Sequence, residues 1–177
     1  FRSQIYKILA DDGVWYFEQS YSGFMIKNLS YDTICHEHLE YYSLYSVKKI
    51  LDFANLKIIN VSFNNINGGS FALTVTKKCS KYLESKKIHK ILRDEKNKKI
   101  NTSYIYRKFY KRINKEKYKM ISFLKKIKLE RKLVIGYGAS TKGNVILQYC
   151  NISNKIIKYI CDVNKDKNGC YTPGTKI

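Results

Sequence analysis

The chain has 177 residues, of which 44% are hydrophobic, so it can bury a core, and this composition excludes a wholly disordered protein. Its 34 Lys and Arg against 14 Asp and Glu give a formal net charge of +20, which favours an anionic partner such as a nucleic acid, a membrane surface or a phosphorylated small molecule. Five cysteines, an odd number without a CxxC pair, argue against a disulfide framework and against a complete zinc ribbon in this chain. With no signal peptide and no apolar run long enough for a bilayer, the sequence predicts a cytoplasmic protein.

The first elements predict α/β structure. Apolar residues at helical spacing indicate a helix over residues 1–10. Residues 14–17 are apolar and aromatic without alternation, which predicts a strand buried on both faces, as in a parallel sheet. Glu18 would close this strand at its carboxyl end, where open α/β sheets place ligand-contacting residues. It is therefore either a weak candidate for cofactor binding or a plain strand-end charge.

A helix and two further strands are predicted next. Ser43 or Ser46 can cap a helix over residues 47–54. Residues 56–63 and 70–76 have strand character, and the turn between them is rich in Asn and Gly, so the two strands should pair antiparallel. This order of elements is similar to the last third of a class I methyltransferase sheet, whose final strand is inserted antiparallel.

The stretch from Lys77 to Lys132 is rich in lysine and is predicted to be helical. Three apolar stripes recur at helical spacing: Ile88, Ile91 and Leu92; Tyr106, Phe109, Tyr110 and Ile113; Met120, Phe123, Leu124 and Ile127. Residues 101–103 mark a break between two helices and can cap the second. Tyrosines among basic residues can indicate nucleic-acid stacking, but at helical spacing we interpret them as a packing face.

A second α/β unit is predicted after residue 131. A strand that starts at residue 132 runs into a glycine turn over residues 136–138, a helix follows, and a second strand over residues 156–161 ends at Asp162. The N–H groups at the helix N-terminus suit a phosphate, and Lys142 adds positive charge. Thr141 stands where the dinucleotide fingerprint has its third glycine, so an NAD site is doubtful. A structural βαβ unit without a ligand is the alternative.

The segment over residues 31–38, Tyr-Asp-Thr-Ile-Cys-His-Glu-His, contains two of the three histidines in the chain. Imidazole can accept and donate protons at neutral pH, and an adjacent carboxylate can orient it, so His36, Glu37 and His38 are candidates for acid–base catalysis. If the segment is extended, the two histidines share a face, and if it is helical they diverge. A solvated helix start is the plain alternative. A metal site is disfavoured because the spacing is not that of His-Glu-x-x-His.

Several segments resemble the sugar C-methyltransferases that act on nucleotide-linked keto-deoxysugars. They cover residues 12–18, 31–43, 67–70, 136–144 and 162–175. The resemblance implies S-adenosylmethionine as cofactor and a nucleotide-linked sugar as substrate, with neither nucleic acid nor membrane as partner. Members of the family have a tyrosine directly before the first histidine, where this chain has Cys35.

The resemblance also implies a domain organisation. Residues 1–77 would be the C-terminal part of a Rossmann-like methyltransferase domain, and residues 132–177 would begin a second Rossmann-like domain. Residues 78–131 would form a helical connector between the two. Complete members carry a cysteine-ligated zinc domain and the glycine-rich cofactor loop ahead of this part. We therefore expect zinc only in that preceding domain, and a fragment that is inactive alone.

In the family, the second histidine of the motif is the base, which is His38 here. It would remove a proton from the carbon next to the ketone, Glu37 would orient it, and His36 would join the hydrogen-bond network of the enolate. Contacts to the nucleotide-sugar are expected from the second domain, at Gly136, Tyr137, Gly138, Ser140, Lys142 and Asn144. Two alternatives stay open: a non-catalytic nucleotide-sugar or NAD-binding module, and a basic nucleic-acid-binding protein that only the charge supports.

Overall fold

The computed structural model describes residues 2–177, with the backbone alone for Arg2, Ser3 and Asn67. Phe1, where the first helix was predicted to begin, lies outside the described residues. The chain divides into two compact units. The first contains the residues up to Ser30 together with Glu40–Phe109, and the second contains Tyr31–Leu39 and Tyr110–Ile177. The domain boundaries after residues 77 and 131 stay predictions.

The first unit combines helices with a three-stranded sheet. Its helices are α1 (Arg2–Ile8), α2 (Ser22–Asn28), α3 (Leu44–Asp52), α4 (Lys86–Asn97) and the beginning of α5 (Ser103–Leu129). Its strands are β1 (Trp15–Ser20), β2 (Leu56–Asn64) and β3 (Ser70–Lys77). The strand order is β1-β3-β2, and β3 is antiparallel to both neighbours. The predicted antiparallel pair is thus confirmed, and so is a mixed α/β structure.

The core of the first unit is centred on β3. Phe71, Leu73 and Val75 are completely buried on one face of this strand, and Ala72 is buried on the other. Burial on both faces accounts for a sequence that is apolar with little alternation. Helix α3 packs on β2 and adds Leu51 to the same cluster. The middle of the sheet is therefore the most tightly enclosed part of this unit.

Strand β1 differs from its prediction. Trp15 and Phe17 pack against the core, but Tyr16 between them is 65% exposed. Within the described sheet β1 is an edge strand that pairs with β3 alone, so its side chains alternate between the core and solvent. The expectation of a strand buried on both faces is wrong for this sheet, and Glu18 lies inside the strand instead of closing it.

The Lys-rich region is only partly as predicted. Residues 78–85 contain turns and no helix, and the break before α5 lies where it was expected. Several predicted stripe residues are buried, namely Ile88, Phe109, Ile113 and Leu124. Tyr106, Tyr110 and Phe123 are exposed, because the apolar stripe of α5 is narrow and its flanking aromatic rings keep contact with water. None of the described helices is both long and apolar enough to cross a membrane.

The second unit contains a small βαβ motif. Its elements are the rest of α5, β4 (Gly136–Tyr137), α6 (Thr141–Tyr149) and β5 (Ile160–Cys161). The strands are parallel, as predicted, and β5 is much shorter than residues 156–161. The position of the first strand was wrong: residues 132–135 are not a strand, and β4 lies on the predicted glycine turn. A Cβ atom on Gly136 would lie 2.6 Å from Cγ1 of Ile160, so glycine permits the close approach of β4 to β5. Apolar residues of α5 and α6 and of the following loop close the core of this unit.

Candidate functional site

The His-Glu-His segment forms a turn in the second unit. The main-chain N–H of His38 donates to the carbonyl oxygen of Cys35 at 3.1 Å, which makes His36 and Glu37 the central residues of a four-residue turn. The backbone is neither the extended strand nor the helix start of the two sequence alternatives, because short-range hydrogen bonds fold it from the 3₁₀ helix Tyr31–Thr33 onwards. The solvent exposure that the plain alternative expected for these side chains is observed. The side chains of His36, Glu37 and His38 are exposed and can be reached by a substrate.

The glycine turn between β4 and α6 is open towards solvent. Gly138 has a φ of +87°, and a Cβ there would meet nothing within 4 Å. Ser140 caps α6 by accepting a hydrogen bond from the N–H of Gly143 at 3.1 Å, while its own hydroxyl proton can still be donated. Tyr137 is 83% exposed, and Lys142 in the first turn of α6 is partly buried. The predicted phosphate contacts thus surround an accessible helix N-terminus.

Asp162 braces this glycine turn from the end of β5. Its carboxylate accepts hydrogen bonds from the N–H of Ala139 at 2.7 Å, the N–H of Asn164 at 2.8 Å and the Lys167 ammonium at 3.0 Å. The main-chain hydrogen bonds from Asn164 and Ala139, followed by Lys167, lower the pKa of Asp162 to about 2. In a dinucleotide site an acid after the second strand would bind ribose. Protein groups thus take three of the roughly four lone-pair sites of Asp162, and its main contacts are those that hold the glycine turn.

A pocket of about 730 Å³ lies beside this brace in the second unit. Asn144 is the predicted substrate-binding residue that lines it, whereas Gly136, Tyr137, Gly138, Ser140 and Lys142 do not. The amide oxygen of Asn144 is buried and accepts no hydrogen bond from the described residues. Leaving such an acceptor unpaired costs about 1–3 kcal/mol, which a ligand that donates a hydrogen bond would recover.

The charged residues that line this pocket were not predicted from the sequence. Lys158 and Lys167 line it together with Asp162. In a chain with 34 Lys and Arg, no spacing distinguishes these two lysines from the rest. The position of Asp162 after the second predicted strand was the available signal, and it did not indicate which groups Asp162 contacts.

Glu18 is the candidate for a cofactor contact in the first unit. The amide nitrogen of Asn64 donates to Oε2 of Glu18 at 2.9 Å, and a carboxylate can accept further hydrogen bonds. Its negative charge suits a cationic cofactor or one with hydroxyl and amino groups.

Within the described residues, no group of His, Cys, Asp and Glu side chains is arranged to hold a metal ion.

Comparison with known proteins identifies a family for the C-terminal part of the chain. Residues 65–177 match the family model for the C-methyltransferase C-terminal domain. The chain is also 28% identical over 170 residues to the C-methyltransferase NovU of Streptomyces niveus. That match covers 96% of this chain but 40% of NovU, so the chain spans well under half the length of this relative. Because the family model covers more than half of the chain, the chain belongs to the C-methyltransferase C-terminal domain family.

Proposed function

We propose that this chain is the C-terminal part of an S-adenosylmethionine-dependent C-methyltransferase that acts on a nucleotide-linked keto-deoxysugar. The observation that carries the proposal is the match of residues 65–177 to the C-methyltransferase C-terminal domain. The similarity to NovU over nearly the whole chain supports a methyl acceptor that is carbon. The motif segments that resemble sugar C-methyltransferases support the sugar substrate.

The architecture agrees with this proposal. Strands β1 and β2 run parallel to each other, since both are antiparallel to β3 between them. A final antiparallel strand between two parallel ones is the ending expected of a methyltransferase sheet. The β4-α6-β5 motif, with its parallel strands, supports a second Rossmann-like domain.

The turn of residues 35–38 would perform the proton transfer. An imidazole nitrogen of His38 takes the proton from the carbon next to the ketone, and the electron pair of that C–H bond moves into an enolate on the ketone oxygen. Glu37 orients and polarises His38, while His36 donates a hydrogen bond to the enolate network. When bound, S-adenosylmethionine supplies a sulfonium methyl group for the enolate carbon, and Glu18 is the candidate of this chain for contacting it.

The second unit would hold the nucleotide end of the substrate. Positive charge at Lys142 and the N–H groups that begin α6 suit a diphosphate. Ser140 can donate its hydroxyl proton to the same group, and the glycine turn leaves room for a phosphate to approach. The buried amide oxygen of Asn144 would accept a hydrogen bond from the substrate within the pocket.

Deuterium exchange tests the assignment of the base. The protein that carries this chain is incubated with the keto-sugar nucleotide in D₂O, and deuterium at the carbon next to the ketone is followed by NMR. The variant His38→Asn should exchange about 10²- to 10⁴-fold more slowly than wild type. The matched control is His89→Asn, because the side chain of His89 on α4 is 69% exposed and lies in the first unit. Wild-type exchange in His38→Asn would contradict the assignment.

Binding measurements test the phosphate site separately. Lys142→Ala should weaken the binding of the nucleotide-sugar in calorimetry, because it removes a positive charge at the N-terminus of α6. Lys115→Ala removes an exposed charge from α5 and serves as the control for net charge. Equal affinities of the two variants would remove Lys142 from the site.

We further propose a cytoplasmic setting. All five cysteines are free thiols, and Cys79, Cys161 and Cys170 are exposed. Exposed thiols persist in a reducing compartment, which supports this location. Mass spectrometry of the protein isolated under alkylating conditions should find these three thiols reduced.

A further inference from the structure

Tyr31 anchors the beginning of the His-Glu-His segment on helix α6. Its ring lies 5.5 Å from the ring of Tyr149, centroid to centroid, and its hydroxyl lies 3.9 Å from Sγ of the buried Cys150. Burial, and next the Cys150 thiol, raise the pKa of Tyr31 above its ordinary value. The hydroxyl therefore stays neutral, and the side chain has both an apolar and a polar contact with the end of α6.

The ring of Tyr149, on which Tyr31 packs, is itself held in place by contacts within the second unit. The hydroxyl of Tyr149 donates to the amide oxygen of Asn114 on α5 at 2.9 Å. The ammonium group of Lys117, also on α5, lies 4.6 Å from the centre of the Tyr149 ring. A ring held by both a hydrogen bond and a cation–π contact has little freedom to rotate. Tyr31 therefore packs on a surface of defined position.

Helix α6 connects the Tyr149 ring to the phosphate site of the proposed function. Lys142 is near its first residue and Tyr149 is its last, and seven residues of α-helix span about 10 Å. A helix of this length is stiff, so it sets the distance from the phosphate-binding end to the residue that Tyr31 contacts. From Tyr31, short-range backbone hydrogen bonds lead to the turn that carries His38.

We propose that Tyr31 is a positioning residue, whose ring fixes the turn of residues 35–38 to α6 and thereby holds His38 at a set distance from the bound diphosphate. The inference rests on the proposed function for the identity of the base and substrate. Tyr31 itself touches neither substrate nor cofactor in this scheme. Its loss should therefore impair proton removal and leave the binding of the nucleotide-sugar intact.

Kinetics of the full-length protein provide the first test. Tyr31→Ala should lower kcat about 10- to 100-fold, because a displacement of about 1 Å at a catalytic group has this effect. Its KM for the nucleotide-sugar should stay within about twofold, since the diphosphate contacts are unchanged. Tyr31→Phe keeps the ring contact with Tyr149 and should restore kcat. Tyr104→Ala, at an exposed tyrosine of α5 in the first unit, should resemble wild type.

Histidine NMR provides a test that does not depend on activity. Imidazole signals of His36 and His38, assigned with His36→Asn and His38→Asn, should shift or broaden in Tyr31→Ala and be restored in Tyr31→Phe. The signal of His89 should not change, because it lies on α4 in the first unit. If Tyr31→Ala does not fold, Tyr31→Leu is used in its place, because leucine keeps much of the buried volume without the aromatic ring.

The outcomes separate this inference from the proposed function. Unchanged imidazole signals in Tyr31→Ala, or a loss of kcat in Tyr31→Phe as large as in Tyr31→Ala, would overturn the role of the Tyr31 ring. If instead the signals move but His38→Asn keeps full deuterium exchange, Tyr31 still positions the turn, and the assignment of His38 as base is wrong.

Discussion

The N-terminus of helix α3 depends on a carboxylate from a distant helix. Glu95 of α4 is 1% exposed, and its two oxygens accept the N–H of Leu44 at 2.7 Å and of Tyr45 at 3.0 Å. The third N–H, that of Ser46, donates to the Ser43 hydroxyl at 3.1 Å. The Glu95 carboxylate and the Ser43 hydroxyl together satisfy three of the four N–H groups that an α-helix leaves unpaired at its start. The negative charge of Glu95 also interacts favourably with the dipole of α3.

The effect of removing this carboxylate follows from these contacts. Each hydrogen bond to a charged acceptor contributes about 1.5–3 kcal/mol, so two contribute about 3–6 kcal/mol. Removing the carboxylate also removes the cost of burying its charge, which offsets part of this loss. We therefore expect Glu95→Ala to lower the free energy of unfolding by about 3–5 kcal/mol. Glu95→Gln keeps one acceptor oxygen and should lose roughly half as much.

Urea unfolding followed by tryptophan fluorescence measures this loss. Trp15 is the only tryptophan of the sequence and lies on β1, so its emission reports on the unit that contains α3 and α4. Asp11→Asn in the same unit is the control, because Asp11 is 88% exposed in its pair with Lys77 and should contribute less than about 1 kcal/mol. A loss below about 1 kcal/mol in Glu95→Ala would refute the reasoning.

Three further predictions concern the sheets and the glycine turn. Because hydrogen bonds lower the pKa of Asp162 to about 2, this carboxylate stabilises the second unit above its unfolded pKa of about 3.9, and the contribution is lost as the pH falls from about 4 to about 2. Asp162→Asn should remove this pH dependence in acid unfolding followed by circular dichroism. Phe71→Ala should lower the free energy of unfolding of the first unit by about 3–5 kcal/mol in the urea assay, because Phe71 is completely buried. Gly136→Ala should destabilise the second unit by about 1–3 kcal/mol in thermal unfolding, because its Cβ would lie 2.6 Å from Ile160.

Local patterns in the sequence predicted local structure well. The Asn- and Gly-rich turn with apolar runs on both sides gave the antiparallel pair of β2 and β3, and Ser43 was one of two predicted caps for α3. These features depend on a few neighbouring residues, so their causes are visible in the sequence. The resemblance to C-methyltransferases is confirmed by the family match, while the sugar substrate stays a prediction.

Contacts between distant residues were not predictable. Glu95 lies 51 residues from Leu44, whose N–H it accepts, and nothing in the local sequence distinguishes it from a solvated helix charge. Asp162 was recognised by its position after a strand, but its contact with Ala139 depends on the closure of the glycine turn. The turn around His36 was not predicted either. Side-chain spacing of two or 3.6 residues indicates strands or helices, and a turn has no such repeat.

Transfer of a labelled methyl group tests the central claim most directly. The protein that carries this chain is incubated with a nucleotide-linked keto-deoxysugar and S-adenosylmethionine labelled with ¹³C in its methyl group, and the product is examined by NMR. Our account predicts a ¹³C methyl bonded to the ring carbon next to the ketone, in place of the hydrogen that was removed from that carbon. A label on oxygen or nitrogen, or binding of the sugar nucleotide without any transfer, would contradict it.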